Sequence, residues 1–498
     1  MFNGIKNFFT KVGVKLGLIK QLQDVKEHRK VDVSSDYYNA LAVNKALYKG
    51  YYEKWHKLSY LNSNKDTITR DMLTLGIGKI AAQKMAQIVF NENCTIEISE
   101  ENKAANDFVL STLDNNNFYR EFQRYLEYMF ALGGMAAKVY VTGGKVKVAY
   151  ALADAFFPLS NDSENVDEAL FVNQFQKDKK HYSLLEWNEW EGTDYVVTNE
   201  LYVSETSGEL GRKTDLSSLY PDLEERVVLE NLSRPLFVYF KPNIANNIEL
   251  TSPLGISIFA NAHDTMKQLD YMFDFYYQEF RLGKRRIAVP SSMVRTFYDE
   301  SGQPHITFDS EEETFVQMNM EDKIEVKDLT VDIRAEQIIA SINAMLKIFA
   351  TQIGFSAGAL TFDGESMKTA TEVISENSDT YQTRNSHITI VEQGIKDLII
   401  SIIEIGQVYE LLDGSIDREE IGINFDDSIA TDRNEQLDFY IKIKSAGLMP
   451  DLEIIQRLFK VSEDTAREWI AMKNDEDRRQ SPDMDEIRSE VSFFGERE

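Results

Sequence analysis

The sequence contains few residues whose types and spacing could carry out chemistry. The run Gly143-Gly144-Lys145 has the glycine and lysine of a phosphate-binding loop. Such a loop also needs a glycine five residues before Gly144 and a Ser or Thr after the lysine, but Val139 and Val146 stand there. We interpret the run as the tight turn of a β-hairpin, because glycine tolerates the positive φ angles of such turns.

Histidines and acidic runs are the other candidates, and they would indicate metal chemistry. No two of the six histidines are four residues apart, which excludes a helical zinc-binding pair. The acidic runs at residues 311–313 and 475–477 lack the accompanying histidines or spaced carboxylates of a two-metal nuclease, so we interpret them as solvated surface. No nucleophile elbow or dinucleotide fingerprint follows a predicted strand. The sequence therefore predicts no enzyme activity and no cofactor.

The composition is that of a folded, acidic protein. Hydrophobic residues make up 43% of the 498 residues, which is enough for sizeable cores. The 54 basic and 82 acidic residues give a formal net charge of -28, whereas a monomeric DNA-binding protein is normally basic because Lys and Arg contact the phosphates. Either DNA is not a partner, or it passes the surface without adhering. The single cysteine, Cys94, excludes an intramolecular disulfide.

Residues 1–34 form a basic, amphipathic segment. Charged residues interrupt the apolar core that a signal peptide needs, and no run in the chain approaches the roughly 18 apolar residues of a membrane span. We therefore expect no membrane span. Two interpretations remain open, a terminal helix docked on this or a neighbouring subunit, and a helix that lies on a membrane surface.

The next part of the chain mixes helical and strand patterns. Residues 35–100 are predicted to be mostly helical, and residues 118–132 form another helix. The period then changes to two on both sides of Gly143-Gly144, which predicts a hairpin. Further strands are predicted at residues 170–176, 181–190, 195–198, 201–204 and 237–240, with turns at Glu191-Gly192 and Asn199-Glu200.

Two long helices then bracket a compact insert. Ser252 and Pro253 suit the start of a helix of about 30 residues, roughly 45 Å long, that ends at Gly283 in a left-handed stop. A second helix is predicted at residues 332–353. Short strands at residues 286–290 and 305–308 lie between them, so we expect a helical hairpin that carries a small strand-rich domain.

The segment 354–364 contains three glycines without periodicity, which predicts a flexible loop. Thr369 and Glu372 then form a capping-box pattern at the start of a proline-free run to Leu412. The first half of this predicted long helix is polar on most faces, as in a strut surrounded by neighbours or solvent. A short strand at residues 421–425, three short helices within 433–474 and a loose charged tail from Asn474 complete the chain.

Four local strings resemble the portal proteins of tailed bacteriophages, in the branch common in phages of Gram-positive bacteria. They are SPLGIS at residues 252–257, the segment 270–280, EFRLGKRR at 279–286 and KTATEVISEN at 368–377. The order of helix, insert, helix, loop and long helix is similar as well, and the resemblance covers roughly residues 35–470. It implies an α+β fold and a ring of about twelve subunits at one vertex of the head, through which DNA is packaged and ejected.

The resemblance implies a role for each part of the chain after the N-terminal segment. Residues 35–251 would form a mixed α/β wing, and residues 252–283 and 331–353 the two stem helices. The strand-rich clip, residues 284–330, would face the terminase motor and later the head-tail adaptor. Residues 354–368 would form a tunnel loop, 369–432 the spine helix with a return to the wing, and 433–498 a helical crown with the charged tail.

Two groups of residues become candidates for contact with DNA in this setting. The tunnel-loop candidates are Phe355, Ser356, Gly358, Leu360, Phe362, Gly364 and Lys368. The second group is a basic cluster at the junction of stem and clip, formed by Arg281, Lys284, Arg285 and Arg286. For the cluster, contact with DNA or the motor and salt bridges to an adjacent subunit are equally open. For Phe355, packing between subunits is the favoured alternative.

The resemblance also implies partners and a location. The partners are other copies of the chain, double-stranded DNA in the channel, the terminase large subunit, the head-tail adaptor, and the major capsid and scaffolding proteins. The location is the virion, at the portal vertex, with host cytoplasm during assembly. A different head-tail structural protein and a metal-dependent phosphoesterase are the alternative functions. The helical hairpin with its inserted domain argues against the former, and the lack of convergent carboxylates against the latter.

Overall fold

The computed structural model describes most of the chain between residues 34 and 480. The described residues are 34–61, 65–98, 102–161, 165–283, 287–288, 295–298, 302, 304–307, 327–328, 331–361, 377–414, 416–426, 433–459 and 463–480. The chain divides into two compact units, Met1–Glu365 with Asn377–Phe425, and Ser366–Glu376 with Asp426–Glu498. The predicted N-terminal segment 1–33 lies outside the described residues.

Helices and strands occur in separate runs along the chain, and the strands pair antiparallel, which confirms the α+β class. The helices are α1 Ser35–Tyr48, α2 Glu53–His56, α3 Ile77–Val89, α4 Lys103–Asn115, α5 Phe118–Leu132, α6 His263–Leu282, α7 Ala335–Gln352, α8 Ser378–Val408, α9 Arg433–Ser445, α10 Asp451–Phe459 and α11 Glu463–Gln480. The strands before α6 are β1 Lys57–Leu61, β2 Thr67–Asp71, β3 Thr95–Ile98, β4 Met135–Thr142, β5 Lys145–Leu152, β6 Phe156–Asn161, β7 Val166–Lys177, β8 Lys180–Glu191, β9 Asp194–Ser204, β10 Arg212–Thr214, β11 Arg226–Leu229 and β12 Phe237–Phe240. The later strands are β13 Ile287–Ala288, β14 Arg295–Tyr298, β15 Pro304–Thr307, β16 Lys327–Asp328 and β17 Ile421–Asn424.

The core of the first unit forms around α5, whose apolar residues recur every three or four positions and so share one face. Phe118, Phe122, Leu126 and Met129 are all completely buried. The ring of Phe122 packs edge-on against Phe240 of β12 at 5.2 Å between centroids. The core therefore joins α5 to the sheet β12-β4-β5, and the predicted helix over residues 118–132 is confirmed.

The predicted hairpin around Gly143-Gly144 is also confirmed. β4 and β5 pair antiparallel with Thr142 opposite Lys145, and both glycines have positive φ, 58° and 69°. These values are those of a two-residue turn whose twist matches the flanking strands. A larger six-stranded sheet has the order β10-β9-β8-β7-β6, with β11 also paired to β9.

Two predictions, one of a turn and one of helix, were wrong for the same physical reason. No turn occurs at Asn199-Glu200, because β9 runs through it with both side chains buried and hydrogen-bonded. The Asn199 amide donates to the Glu224 carbonyl at 2.8 Å, and Glu200 accepts from the Trp187 indole at 3.1 Å. Residues 57–61 and 67–71, within a stretch predicted to be mostly helical, pair as the strands β1 and β2. In each case pairing with another strand outweighs local propensity.

The first long helix is shorter than predicted, because it begins at His263 and not at Ser252. Residues before it run in close contact with the end of α5, where the Ile258 N–H donates to the Phe130 carbonyl at 3.1 Å. A Cβ on Gly255 would lie 2.5 Å from the Gly133 carbonyl oxygen, so this approach requires glycine. Packing against α5 therefore replaces the first turns of the predicted helix.

The helix end at Gly283 is confirmed, but the left-handed conformation is wrong, because its φ is -78°. A Cβ at Gly283 would lie 3.1 Å from the side chain of Ile333, so glycine allows the residues that follow the insert to pack closely against the end of α6.

In the insert, β14 pairs with β15 and β13 pairs with β16. α8 ends at Val408 and not at Leu412, with Glu410 in the left-handed region at φ 55°. The capping-box residues Thr369 and Glu372 lie outside the described residues.

The second unit contains α9, α10 and α11, as predicted for residues 433–474. Gly447, at φ 68°, separates the first two helices. The rings of Phe459 and Trp469 meet edge-on at 5.5 Å and join the last two. The prediction of a loose tail from Asn474 was wrong in part, because α11 continues to Gln480.

We predict that Gly394→Ala lowers the free energy of unfolding. A Cβ at Gly394 of α8 would lie 2.4 Å from the ring of Phe240. Overpacking of this kind costs about 1–3 kcal/mol, which outweighs the gain of about 1 kcal/mol in helix propensity. Urea unfolding of this variant and of Ser341→Ala, at an exposed position of α7, tests the point. Equal or greater stability of Gly394→Ala would contradict the close packing of α8 on β12.

Candidate functional site

The antiparallel helices α6 and α7, with the segment that follows them, form the candidate site. Asp274 on α6 attaches this helical hairpin to the rest of the first unit. Its carboxylate is 3% exposed and accepts hydrogen bonds from both terminal nitrogens of Arg70 at 2.8 and 2.6 Å, and from the Leu73 N–H at 3.1 Å. Burial raises the pKa of Asp274, but these bonds outweigh burial and hold the pKa below its ordinary value.

Asp270, one turn earlier on the same face of α6, makes a second attachment. It accepts from the Thr74 hydroxyl at 2.9 Å, the Leu75 N–H at 2.7 Å and His56 Nε2 at 3.0 Å. The Nδ1 atom of His56 accepts from the Tyr52 N–H at 2.7 Å, so the proton of the neutral ring lies on Nε2. Every contact fixes the position and rotation of α6.

Glu279 and Arg334 join the end of α6 to the start of α7, at the end of the hairpin that carries the insert. The Arg334 guanidinium donates to both carboxylate oxygens of Glu279, at 3.0 and 2.9 Å, and its backbone N–H donates at 3.2 Å. These bonds lower the pKa of Glu279. Arg281, the first residue of the predicted basic cluster, is exposed and donates to Gln278 at 2.7 Å. Lys284, Arg285 and Arg286 lie outside the described residues, so the cluster stays a prediction.

The outward faces of the two helices differ in shape. On α6, Tyr271 is 62% exposed and Phe275 is 39% exposed, one turn apart, and the guanidinium of Arg334 lies 5.7 Å from the Phe275 ring centroid. On α7, the outward face carries the small residues Ala340 and Ala344, followed by Ile348 at 48% exposed. We call these the α6 aromatic face and the α7 alanine face.

The predicted tunnel loop begins inside the core of the subunit. Phe355 is 1% exposed and Ser356 is 2% exposed, so neither side chain is placed to face a channel. Ser356 and Thr380 bond reciprocally. The Ser356 N–H donates to the Thr380 hydroxyl at 2.8 Å, and the Thr380 N–H donates to the Ser356 hydroxyl at 3.2 Å. The second bond satisfies an N–H in the first turn of α8 that has no partner within the helix.

A second contact holds the same segment at Ala359, four residues after Phe355. There, Lys84 Nζ donates to the Ala359 carbonyl at 2.6 Å. Burial lowers the pKa of Lys84. Gly358 is exposed and Leu360 is half-buried, so these two remain tunnel-loop candidates, together with Phe362, Gly364 and Lys368 outside the described residues. Phe355 and Ser356 are therefore buried together and attach the start of the segment to the core. They do not lie with the other tunnel-loop candidates.

The polar first half of α8 buries one face within its own subunit, whereas the prediction placed neighbouring subunits or solvent on every side. Arg384 is 1% exposed and donates to the Ile88 carbonyl at 2.5 Å. His387 is 2% exposed, and its Nδ1 accepts from the Asn243 N–H at 3.0 Å. Its Nε2, which must carry the proton, has no hydrogen-bond partner among the described residues. Burial lowers the pKa of His387 to about 4, because the charged form would be desolvated.

Sequence reasoning missed most residues that position the hairpin. The pair Asp270 and Asp274, two acids at i and i+4 in an otherwise aromatic helix, was the available signal, because such acids need buried partners. Their partners Arg70 and His56 are about 200 residues away in sequence, and no local pattern could identify them. Within the described ranges, no group of three or more His, Cys, Asp or Glu could hold a metal ion.

Comparisons with known proteins cover most of the chain. Residues 20–479 match the family model described as "Phage portal protein, SPP1 Gp6-like". No curated protein matches the sequence. A solved structure described as "Neck of empty GTA particle computed with C6 symmetry" is similar over 77% of this chain and 89% of that chain, at 12% identity and a TM-score of 0.37. So low a TM-score supports no conclusion, and the family assignment depends on the family model.

We predict that Thr380→Val releases the start of the 354–361 segment. The change removes the hydroxyl that accepts from the Ser356 N–H and leaves a buried donor unsatisfied, at a cost of about 1–3 kcal/mol. Amide hydrogen exchange at Phe355 and Ser356 should accelerate by tenfold or more. Thr389→Val is the matched control, because Thr389 is on the same helix but exposed. Unchanged exchange in Thr380→Val would show that this pair does not hold the segment.

We predict that His387 makes folding stability depend on pH. The unfolded state binds a proton on this ring below pH 6.5, whereas the folded state does so only near pH 4. The contribution of His387 to the free energy of unfolding is therefore full above pH 6.5. It is lost as the pH falls from 6.5 to about 4, and the total loss is about 3 kcal/mol. Urea unfolding of wild type and His387→Gln across this range measures the difference. A constant difference between them would contradict the prediction.

Proposed function

Because the chain belongs to the SPP1 Gp6-like phage portal family, we propose that about twelve copies of it assemble into a ring at one vertex of the phage head. The family is structural, so the protein is a portal protein of the head-tail connector, a component of the virion and not an enzyme. The family match over residues 20–479 carries this proposal. None of the helices in the described ranges has the length and apolarity to cross a bilayer.

The two outward faces of the helical hairpin support ring assembly. A closed ring needs head-to-tail contacts, in which one surface of a subunit meets a different surface of the next. The α6 aromatic face presents rings, and the α7 alanine face presents two small side chains one turn apart, Ala340 and Ala344, before the larger Ile348. The first face of one subunit therefore fits the second face of its neighbour, and burial of Tyr271 alone would contribute about 1–2 kcal/mol.

We assign the parts of the chain to the parts of a portal. Residues 35–251 form the wing, α6 and α7 the stem, and residues 284–330 the clip that docks the terminase large subunit and later the head-tail adaptor. The segment from Gly358 to Lys368 forms the tunnel loop, α8 the spine, and the second unit the crown. Major capsid and scaffolding proteins surround the ring during assembly in the host cytoplasm.

Double-stranded DNA passes through the ring during packaging and ejection in this proposal. The net charge of -28 supports passage without adhesion, because a wall of like charge prevents a deep binding minimum for the phosphates. Gly358 and Leu360 start the part of the tunnel loop that reaches toward the DNA. Arg281, with Lys284, Arg285 and Arg286, supplies cations at the junction of stem and clip.

We predict that the purified chain forms rings with a central hole. Twelve subunits of 57.2 kDa give a mass of about 690 kDa, which mass photometry resolves from rings with one subunit more or less. Negative-stain electron microscopy of the same sample shows the hole. A monomer or dimer at all salt and protein concentrations would contradict the proposal. Cleavage of plasmid DNA that depends on Mg²⁺ and is lost with one carboxylate would support the phosphoesterase alternative instead.

A further inference from the structure

The hairpin β1–β2, called here the arm, stands apart from the other sheets. Its five-residue strands pair only with each other among the described strands, with Tyr60 opposite Ile68 and Leu58 opposite Arg70. An isolated two-stranded hairpin is marginally stable in water and normally needs packing on at least one face. The arm therefore depends on contacts beyond its own hydrogen bonds.

The two faces of the arm differ in chemistry. On one face, Tyr60 and Ile68 form a directly opposed pair, 46% and 37% exposed. On the other face, Ser59 and Thr69 form an exposed polar pair whose hydroxyls lie 3.0 Å apart, and Leu61 follows at the end of β1, 67% exposed. A directly opposed aromatic-aliphatic pair, such as that on the first face, is typical of a hairpin side that packs on a partner. Within the single subunit, the apolar side is left open.

The base of the arm is fixed to α6 on this apolar side. Arg70, next to Ile68 on the same face, makes the bidentate ion pair with Asp274. On α6, Asp274 directly precedes Phe275, which belongs to the α6 aromatic face. Successive residues of a helix point about 100° apart, so the arm is anchored on the side of α6 that lies next to the α6 aromatic face.

We propose that Tyr60 and Ile68 form a docking surface for a second copy of this chain, as an extension of the contact made by the α6 aromatic face. The inference rests on the proposed ring. In that ring the arm extends past its own stem and lies on the neighbouring subunit. The neighbouring subunit then covers Tyr60 and Ile68. Contact with the neighbour then supplies the packing that the two-stranded arm lacks in the single subunit.

The charges of the arm favour a protein surface over a nucleic acid. Beyond the Tyr60–Ile68 pair, the tip from Leu61 to Thr67 contains one cation, Lys65, and one anion, Asp66. Their charges cancel, so the tip lacks the excess of cations that phosphate contacts need. Tyrosine is instead one of the residues enriched in the apolar centre of protein interfaces.

The single buried cysteine makes the proposal testable by thiol labelling of the full chain. Cys94 is 3% exposed, so a cysteine introduced on the arm is the accessible thiol. Ile68→Cys reports on the apolar face, and Ser59→Cys is the matched control on the polar face of the same hairpin. Each variant is separated into rings and unassembled subunits by gel filtration and treated with a maleimide-polyethylene glycol.

We expect Ile68→Cys to react at least tenfold more slowly in rings than in unassembled subunits, and Ser59→Cys to react at similar rates in both. Equal rates for Ile68→Cys in rings and subunits would overturn the docking surface, although the ring would stand. Equal slowing at both positions would overturn the choice of face. Failure of the wild-type chain to form rings would instead refute the proposed function.

A second variant tests the contribution of the same pair to assembly. Ile68→Thr keeps the branched Cβ that the strand favours, so the arm itself is preserved. Rings of this variant, with Tyr60→Ser added, should dissociate at a protein concentration at least tenfold higher than wild-type rings in mass photometry. Thr69→Ser on the polar face should dissociate as wild type does. Identical dissociation of all three would overturn the proposal.

Discussion

The satisfaction of two buried carboxylates, Asp270 and Asp274, determines how the helical hairpin is held. An unpaired buried carboxylate is costly, so each must lie where its partners are, and the partners belong to a segment that precedes α6 by about 200 residues. Because the acids are one turn apart, they fix both the position of α6 and its rotation about its axis. The outward directions of Tyr271 and Phe275 follow from that rotation.

The same principle governs the segment after α7 and the first half of α8. Thr380, Arg384 and His387 are polar, but each is buried with a backbone or hydroxyl partner from another part of the chain. A helix that is polar on most faces can thus bury one face in the core when its neighbours supply backbone groups to bond. The sequence pattern alone could not distinguish this arrangement from a solvated strut.

The sequence predicted elements well wherever local chemistry decides them. The hairpin at Gly143-Gly144, the helix over residues 118–132 and the breaks between the C-terminal helices follow from turn residues and periodicity. Prediction from the sequence was wrong where distant partners decide the local structure. At Asn199-Glu200, for example, two polar residues that are buried in a strand have the composition of a turn. The predicted start of the first long helix was wrong for a similar reason. Ser252 and Pro253 have the sequence of a helix start, but the close contact of Gly255 with Gly133 keeps this segment out of the helix. The family followed from local strings, but the buried role of Phe355 and Ser356 did not.

In the proposed ring, the α6 aromatic face of one subunit meets the α7 alanine face of the next. Disulfide formation in rings of the double variant Tyr271→Cys with Ala344→Cys tests this claim, since Cys94 is buried. After mild oxidation, non-reducing electrophoresis should show a ladder of covalently linked subunits that extends toward about twelve, whereas each single variant should give monomers. Monomers alone from oxidised rings of the double variant would contradict the claim.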